Sequence, residues 1–212
     1  MVDLALASVF LDFDGTVTLA DTGVHLLERL AGPGWRAVED DYAAGRIGSR
    51  ECLARQWAML PGTDEALLRS VAREVPVDPG FEPLVRALEA AGAEVTVVSD
   101  GFGFHAREVC GAVGVPVLTN EVDFATGALS FPNSDRCCPC SSCGTCKQAP
   151  LKDARRRGRV TVLVGDGTSD RKAALLADVV FAKGPLADWC EAVGVAYRPF
   201  DRLDHVRRAL GA

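Results

Sequence analysis

The 212-residue sequence lacks the means to cross a membrane or to hold nucleic acid by charge. No apolar run approaches the ~20 residues of a membrane-spanning helix. The longest early run, Leu4 to Leu11, contains Ser8 and leads into a carboxylate. That opening carries Asp3, has no basic start and is about as long as a buried strand, so it is read as a strand and not as a secretory leader. The expected location is cytoplasmic, with no membrane partner. Positive charge is in deficit, 23 Lys and Arg against 29 Asp and Glu for a net charge of −6, which argues against a nucleic-acid partner. There is no internal repeat and no low-complexity tract. With 48% hydrophobic and 25% charged residues the composition is that of an ordinary globular chain, long enough for one domain carrying a sizeable insertion.

The eight cysteines are unevenly placed. Cys52, Cys110 and Cys190 stand alone, whereas Cys137, Cys138, Cys140, Cys143 and Cys146 share one short stretch. In a reducing compartment such a cluster suits metal or free thiols better than a disulfide framework. The pattern from Cys137 to Cys146 supplies enough soft ligands for a structural Zn²⁺. A loop of thiols and a single local disulfide stay open beside it, and an iron–sulfur reading is weaker because no further Cys-Pro arrangement follows.

Short apolar runs ending in Gly and Asp alternate with helical patterns, which predicts an α/β fold with a parallel sheet covered on both faces. Strands are expected at Leu6 to Phe13, Glu94 to Ser99, Val160 to Val164, Val179 to Ala182 and Val195 to Arg198. About eighty residues without a convincing strand separate the first two, far beyond the roughly dozen a crossover needs. Within them Thr22 to Leu30, Trp35 to Ala44, Arg50 to Met59 and Asp64 to Glu74 read as helices between Gly- and Pro-rich breaks, hence an inserted helical bundle. Asp78-Pro79 reads as an N-cap and first helical position of a helix reaching about Ala90. Alternation around Thr126-Gly127 predicts a hairpin within Glu121 to Pro132.

Three strand ends carry the chemistry. Asp12-Phe13-Asp14-Gly15-Thr16 follows the first strand, and two carboxylates at a carboxyl edge are costly unless a hard cation such as Mg²⁺ relieves their repulsion. Gly165-Asp166-Gly167-Thr168-Ser169-Asp170 brings more acid to the same edge. Ser99-Asp100-Gly101 precedes an expected helix from Phe102, whose backbone donors suit an anion. Each motif alone is ordinary loop chemistry; all three after strands on one edge are not.

On these motifs the sequence resembles the haloacid dehalogenase-like phosphatases, in the subclass that includes phosphoserine phosphatase. Cys143-Gly144-Thr145-Cys146-Lys147 is similar to the cysteine-flanked lysine element of the 2-hydroxy-3-keto-5-methylthiopentenyl-1-phosphate phosphatases of methionine salvage and their relatives. Phe181 to Leu186 resembles their C-terminal part. The resemblance implies a doubly wound, Rossmann-like core formed by residues 1–16 and 94–212, with residues 17–93 as a helical cap. It implies Mg²⁺-dependent hydrolysis of a small phosphorylated metabolite, in which Asp12 attacks phosphorus and Asp14 serves as acid and then base. Ser99 and Lys147 would bind the phosphoryl group, with Lys152 as a rival lysine. Asp12, the Asp14 carbonyl and Asp166 would hold the metal, with Asp170 as a further ligand or a support for Lys147.

Close relatives tend to have Ser-Gly-Gly where this chain has Ser99-Asp100-Gly101, so Asp100 is expected to turn outward or to meet a cationic or hydroxylated part of the substrate. Among cap residues Arg46, in the Gly-bounded turn from Gly45 to Gly48, is the favoured substrate contact; His25, Trp35, Tyr42 and Trp57 are candidates, residue types more often accounted for by helix-face packing or solvated charge. Arg155, Arg156, Arg157 and Arg159 read as a solvated helix end, and His105 and His205 as structural. Two rivals remain: a phosphoserine-phosphatase-like hydrolase or phosphotransferase on the same site, and a non-catalytic metal or redox module built on the cysteines. No pattern assigns an oligomeric state.

Overall fold

The computed structural model describes residues 2–134 and 142–212. A 3-10 turn at Leu4–Leu6 leads into β1 (Ala7–Leu11), all of whose residues are buried. This strand starts one residue later than expected because Asp3 accepts the Ala5 N–H and closes the turn before it, and it ends at Leu11, two residues earlier than expected. Four helices follow, α1 (Thr22–Leu30), α2 (Trp35–Ala43), α3 (Ser49–Trp57) and α4 (Glu65–Ala72). Then come α5 (Phe81–Ala90), β2 (Glu94–Val98), α6 (Phe104–Val113), β3 (Val117–Leu118) and the antiparallel pair β4 (Glu121–Asp123) and β5 (Ala128–Ser130). The chain ends with α7 (Gln148–Arg156), β6 (Val160–Gly165), α8 (Arg171–Ala174), β7 (Val179–Ala182), α9 (Gly184–Val193), β8 (Arg198–Pro199) and α10 (Leu203–Leu210).

Six strands form one parallel sheet in the order β3-β2-β1-β6-β7-β8. The chain winds outward from β1 in one direction and from β6 in the other, so the order reverses between these two strands. At such a reversal the loops after the carboxyl ends diverge and leave a crevice. Alternate residues face opposite ways: Ala7, Val9 and Leu11 pack with α5 and α10, while Phe10 and Leu163 pack with Leu151 and Ala154 of α7. Each fully buried Val or Leu contributes about 1.5–3 kcal/mol relative to exposure, which is why the central strands read as mostly apolar runs.

Helices α1 to α4 build a separate apolar cluster around Leu26, Leu27, Trp57 and Leu68, closed below by Phe102 and Phe104. The hairpin leans on it through Val122, Phe124 and Leu129. Helix α5 lies within residues 17–93 yet packs Phe81, Leu84, Val85 and Leu88 against the sheet.

Two expectations are corrected. The residue capping α5 is Gly80, and buried Asp78 instead accepts the N–H groups of Gly80 (2.8 Å) and Leu203 (3.2 Å), tying α5 to α10. The last strand begins at Arg198 and not Val195, because Gly194 ends α9 in the left-handed region and Val195 N–H still bonds the Cys190 carbonyl. The short strand β3 has no counterpart among the expected elements. No helix among the described residues is long and apolar enough to cross a membrane.

Candidate active site

Asp12 leaves β1 with its N–H bonded to the Val164 carbonyl of β6 at 2.9 Å, so the two strand ends stay in register past the last ladder pair. Its carboxylate is buried, with Oδ1 accepting the Phe13 N–H at 2.7 Å and the Lys147 ammonium at 2.5 Å. Lys147, 4% exposed, stands immediately before α7, whose Leu151 and Ala154 anchor the helix on the sheet and so aim its start at the end of β1. The same ammonium donates to Asp170 Oδ1 at 2.8 Å. Asp170 is fully buried, and its Oδ2 accepts the N–H groups of Asp166 and Gly167, both at 3.2 Å. Asp166 is oriented by the Thr16 hydroxyl, which donates to Oδ1 at 2.7 Å.

Asp12, Asp166 and Asp170 each present an oxygen within 4.8 Å of the others. Three carboxylates face one ammonium, an excess of negative charge on hard oxygen donors that fits a divalent cation of the Mg²⁺ type. Burial, then Asp170, holds the Asp12 carboxyl well above the ordinary carboxylate range. Burial and Asp170 likewise push Asp166 up to about 6. For Lys147 burial opposes the charge, but Asp12 and Asp170 outweigh it and keep the pKa above the ordinary lysine value. Gly15, at φ +79°, is required here: a Cβ would lie 2.3 Å from Asp166 Oδ2.

The Asp14 carboxylate stands apart from the trio. Its Oδ1 accepts the Thr22 N–H at 3.1 Å, and its Oδ2 meets the Ser99 hydroxyl at a long 3.4 Å. Burial first and Asp21 second push its pKa up to about 7, so a protonated carboxyl is accessible near neutrality. Ser99, at the end of β2, accepts the Gly101 N–H at 3.1 Å, and a Cβ on Gly101 would lie 2.4 Å from Asp14 Oδ2.

A cleft of about 280 Å³ opens over Asp12, Asp14 and Asp166, walled on the helical side by Asp21, Glu39, Tyr42, Cys52 and Gln56. Gln56 Nε2 donates to Glu39 at 2.8 Å, and burial, then Glu39, pushes the Cys52 thiol up to about 12, so it is protonated and not a nucleophile. Tyr42, a cap candidate from the sequence, lines this wall; Asp21, Glu39, Cys52 and Gln56 were not foreseen, and the available signal was weak: Asp21 is legible only as the N-cap of α1, where it accepts the Val24 N–H.

The structure thus brings Asp12, Asp14, Asp100, Gly101 and Asp166 to one cleft, with Lys147, Asp170 and Ser99 against its floor. It does not bring Arg46, whose guanidinium pairs with Asp41 at 2.8 Å on the exposed end of α2. Asp100 does not turn outward: it lines the cleft, with Ser49 and Thr145 bonded to its carboxylate. Trp35 and Trp57 are core residues, and His25 pairs with Glu74. Lys152 lies within α7, while Arg155, Arg156 and Arg157 pair with Asp178, Asp153 and Glu94. Arg159 reaches Ser8 and the Ala7 carbonyl. His105 is buried edge-on to Phe13. Of the expected zinc ligands, Cys137, Cys138 and Cys140 lie outside the described residues.

A family model for haloacid dehalogenase-like hydrolases matches residues 9–175. The chain is 28% identical over 198 residues to a 2-hydroxy-3-keto-5-methylthiopentenyl-1-phosphate phosphatase of Exiguobacterium sp., covering 91% of this chain and 92% of that protein. The protein of the same name from Geobacillus kaustophilus is 29% identical over 210 residues, covering 94% and 95%. Among solved structures, phosphoserine phosphatase from T. onnurineus superposes with a TM-score of 0.71 at 20% identity, over 97% of this chain and 94% of that one, a likeness of fold.

Proposed function

Since the chain belongs to the haloacid dehalogenase-like hydrolases, we propose that it is a Mg²⁺-dependent phosphatase that hydrolyses a small phosphomonoester through an aspartyl-phosphate on Asp12. The observation that carries this reading is the convergence of Asp12, Asp166 and Asp170 on one point with Lys147 bonded to Asp12. A carboxylate cannot approach a dianionic phosphate unless charge is screened. Bound Mg²⁺ would supply part of that screening, held by Asp12, Asp166, Asp170 and the carbonyl of Asp14.

The remaining work falls to the chain. Lys147 keeps Asp12 oriented and offsets charge on the phosphoryl group. The Ser99 hydroxyl, oriented by the Gly101 N–H, binds one of its oxygens. Asp12 attacks phosphorus, the bond to the alkoxide breaks, and protonated Asp14 gives its proton to the departing oxygen. Asp14, now a carboxylate, takes a proton from water as that water attacks the aspartyl-phosphate, which frees phosphate and restores both side chains. The helical wall excludes bulk water during these steps.

The names of the two relatives support 2-hydroxy-3-keto-5-methylthiopentenyl-1-phosphate as substrate. The wall counts against phosphoserine, because no basic side chain lines the cleft among the described residues to pair its carboxylate. A metabolite panel assayed for released phosphate tests the reading. Turnover is expected to require Mg²⁺, to be at least about tenfold better on the methylthiopentenyl ester than on phosphoserine, and to fall by about 10³-fold or more in folded Asp12→Asn. Turnover retained in Asp12→Asn would end the proposal.

A further inference from the structure

Asp100 has no part in the chemistry above, yet both its carboxylate oxygens are occupied. Oδ2 accepts the Ser49 hydroxyl at 2.5 Å, and Oδ1 accepts the Thr145 N–H at 2.6 Å. Ser49 opens α3, within the helical insert, and its Oγ also accepts the Gly144 N–H at 3.1 Å. Next to it Arg50 N–H bonds the Ser142 carbonyl at 3.1 Å. Asn120 closes the ring, donating to the Gly101 carbonyl at 2.8 Å and accepting the Thr145 hydroxyl at 3.0 Å. One side chain therefore joins the loop after β2, the first turn of α3 and the segment leading to Lys147.

The joint is built for close approach. A Cβ on Gly144 would lie 2.4 Å from Asp100 Oδ1, and one on Gly48 would lie 2.3 Å from the Ser142 carbonyl oxygen. Ser49, Asn120 and Thr145 are buried, so these bonds compete little with water. Lys147, two residues beyond Thr145, places its ammonium on Asp12 and Asp170. Displacing a catalytic group by about 1 Å costs on the order of 10²-fold in rate, so whatever holds the 142–147 segment holds the reaction.

We propose that Asp100 is a positioning residue: it pins the insert, through Ser49, to the segment carrying Lys147, so that the closed cleft and the lysine are set together. The kinetic part of this proposal rests on the phosphatase reading; the mechanical part does not.

The test compares Asp100→Ala, Asp100→Asn and Ser49→Ala by amide hydrogen exchange of residues 49–53 and 142–147, and by kcat and KM on an aryl phosphate with saturating Mg²⁺. Asparagine can keep both contacts, accepting from Thr145 with its oxygen and donating to Ser49 with its nitrogen. Asp100→Ala is expected to speed exchange in both segments together and to lower kcat by about tenfold or more. Asp100→Asn should restore both readouts to within about threefold of the parent. Ser49→Ala should speed exchange in the first turn of α3 and raise KM by a larger factor than it lowers kcat. Unchanged exchange and kcat in Asp100→Ala would overturn the proposal, and so would Asp100→Asn as impaired as Asp100→Ala, since the charge would then be acting on substrate or ion. If Asp100→Ala does not fold, unchanged exchange and KM in Ser49→Ala overturn it. If the parent protein releases no phosphate, the phosphatase reading fails, and exchange alone decides whether the joint exists.

Discussion

Among the described residues Lys147 is the cation bonded to the buried carboxylates of both Asp12 and Asp170, and it makes them tolerable to each other. Breaking a buried ion pair by removing one partner costs about 3–5 kcal/mol, because the other charge stays buried. Lys147→Met is therefore expected to lose roughly that much stability at pH 8 in denaturant titrations, and to lower kcat by about 10²-fold or more through lost charge stabilisation. Stability at parent level would show that the pair contributes nothing. Lys147 and not Lys152 was the expected candidate because it directly follows the cysteine element, with Asp170, in one of two readings, as its support; the structure bonds the ammonium to both Asp12 and Asp170.

Protonation gives the second prediction at this scale. Folding raises Asp14 from 3.8 to about 7 and Asp166 from 3.8 to about 6, burial being the first cause in both. A carboxyl raised in this way adds stability below its unfolded value and loses it as pH climbs through the folded one. The metal-free protein should accordingly weaken between about pH 4 and 7, as these groups are forced to ionise without a counter-charge. Mg²⁺ at about 100 times its Kd would return roughly 2.7 kcal/mol, or about 5–10 °C in Tm for a chain of this length, once the carboxylates are ionised. Thermal scans with EDTA and with Mg²⁺ check this: the Mg²⁺-dependent rise should be large at pH 8 and small at pH 5. An equal rise at both pH values would contradict it.

At the scale of elements, the hairpin and the insert act as one layer. Trp57 of α3 donates its indole N–H to the Gly127 carbonyl at the hairpin tip (2.7 Å) and packs on Phe102 at 5.1 Å between ring centroids. Trp57→Phe removes that bond and part of the buried volume, and should cost about 2 kcal/mol in denaturant titration while the secondary structure persists. A loss below about 0.5 kcal/mol would show that the hairpin does not brace the insert. The helices of the insert were legible because their punctuation is local: Gly32-Pro33-Gly34, Gly45 to Gly48 and Pro61-Gly62 separate amphipathic runs, and Asp21 and Asp64 cap α1 and α4 through their own side chains. The misreadings concern partners far along the chain. Asp78 has the look of a helix cap, but its second oxygen is taken by Leu203, and Val195 to Tyr197 has strand composition without a neighbouring strand to pair with.

At the scale of the whole molecule, charge is the feature with a consequence for turnover. The net charge is −6, and the cleft wall adds Asp21 and Glu39 near the entry. A dianionic ester approaching this surface is repelled, and raising ionic strength from about 20 to 150 mM shortens the Debye length from about 20 to 8 Å. At saturating Mg²⁺, kcat/KM should rise about two- to threefold over that range. A fall would point to an attractive, cationic entrance. The order of the sheet matters at the same scale, since β1 and β6 are neighbours only because the winding of successive strands reverses between them.

The sequence by itself determined which residues stand at the ends of strands, and with them the chemistry on offer. The runs Ala7–Leu11, Glu94–Val98 and Val160–Gly165 are mostly apolar, and acids or Ser99 follow each within two residues. Such patterns are local, set by burial on both faces of a strand and by the backbone freedom of the turn that follows it. Only the tertiary structure decided which of those residues meet. Lys147 lies 135 residues from Asp12, and Asp100 draws its partners from α3 and from the segment before Lys147. Distance along a chain carries no information about contact until packing closes the loops between, so the unexpected carboxylate beside Ser99 became intelligible only once Ser49 and Thr145 were in place around it.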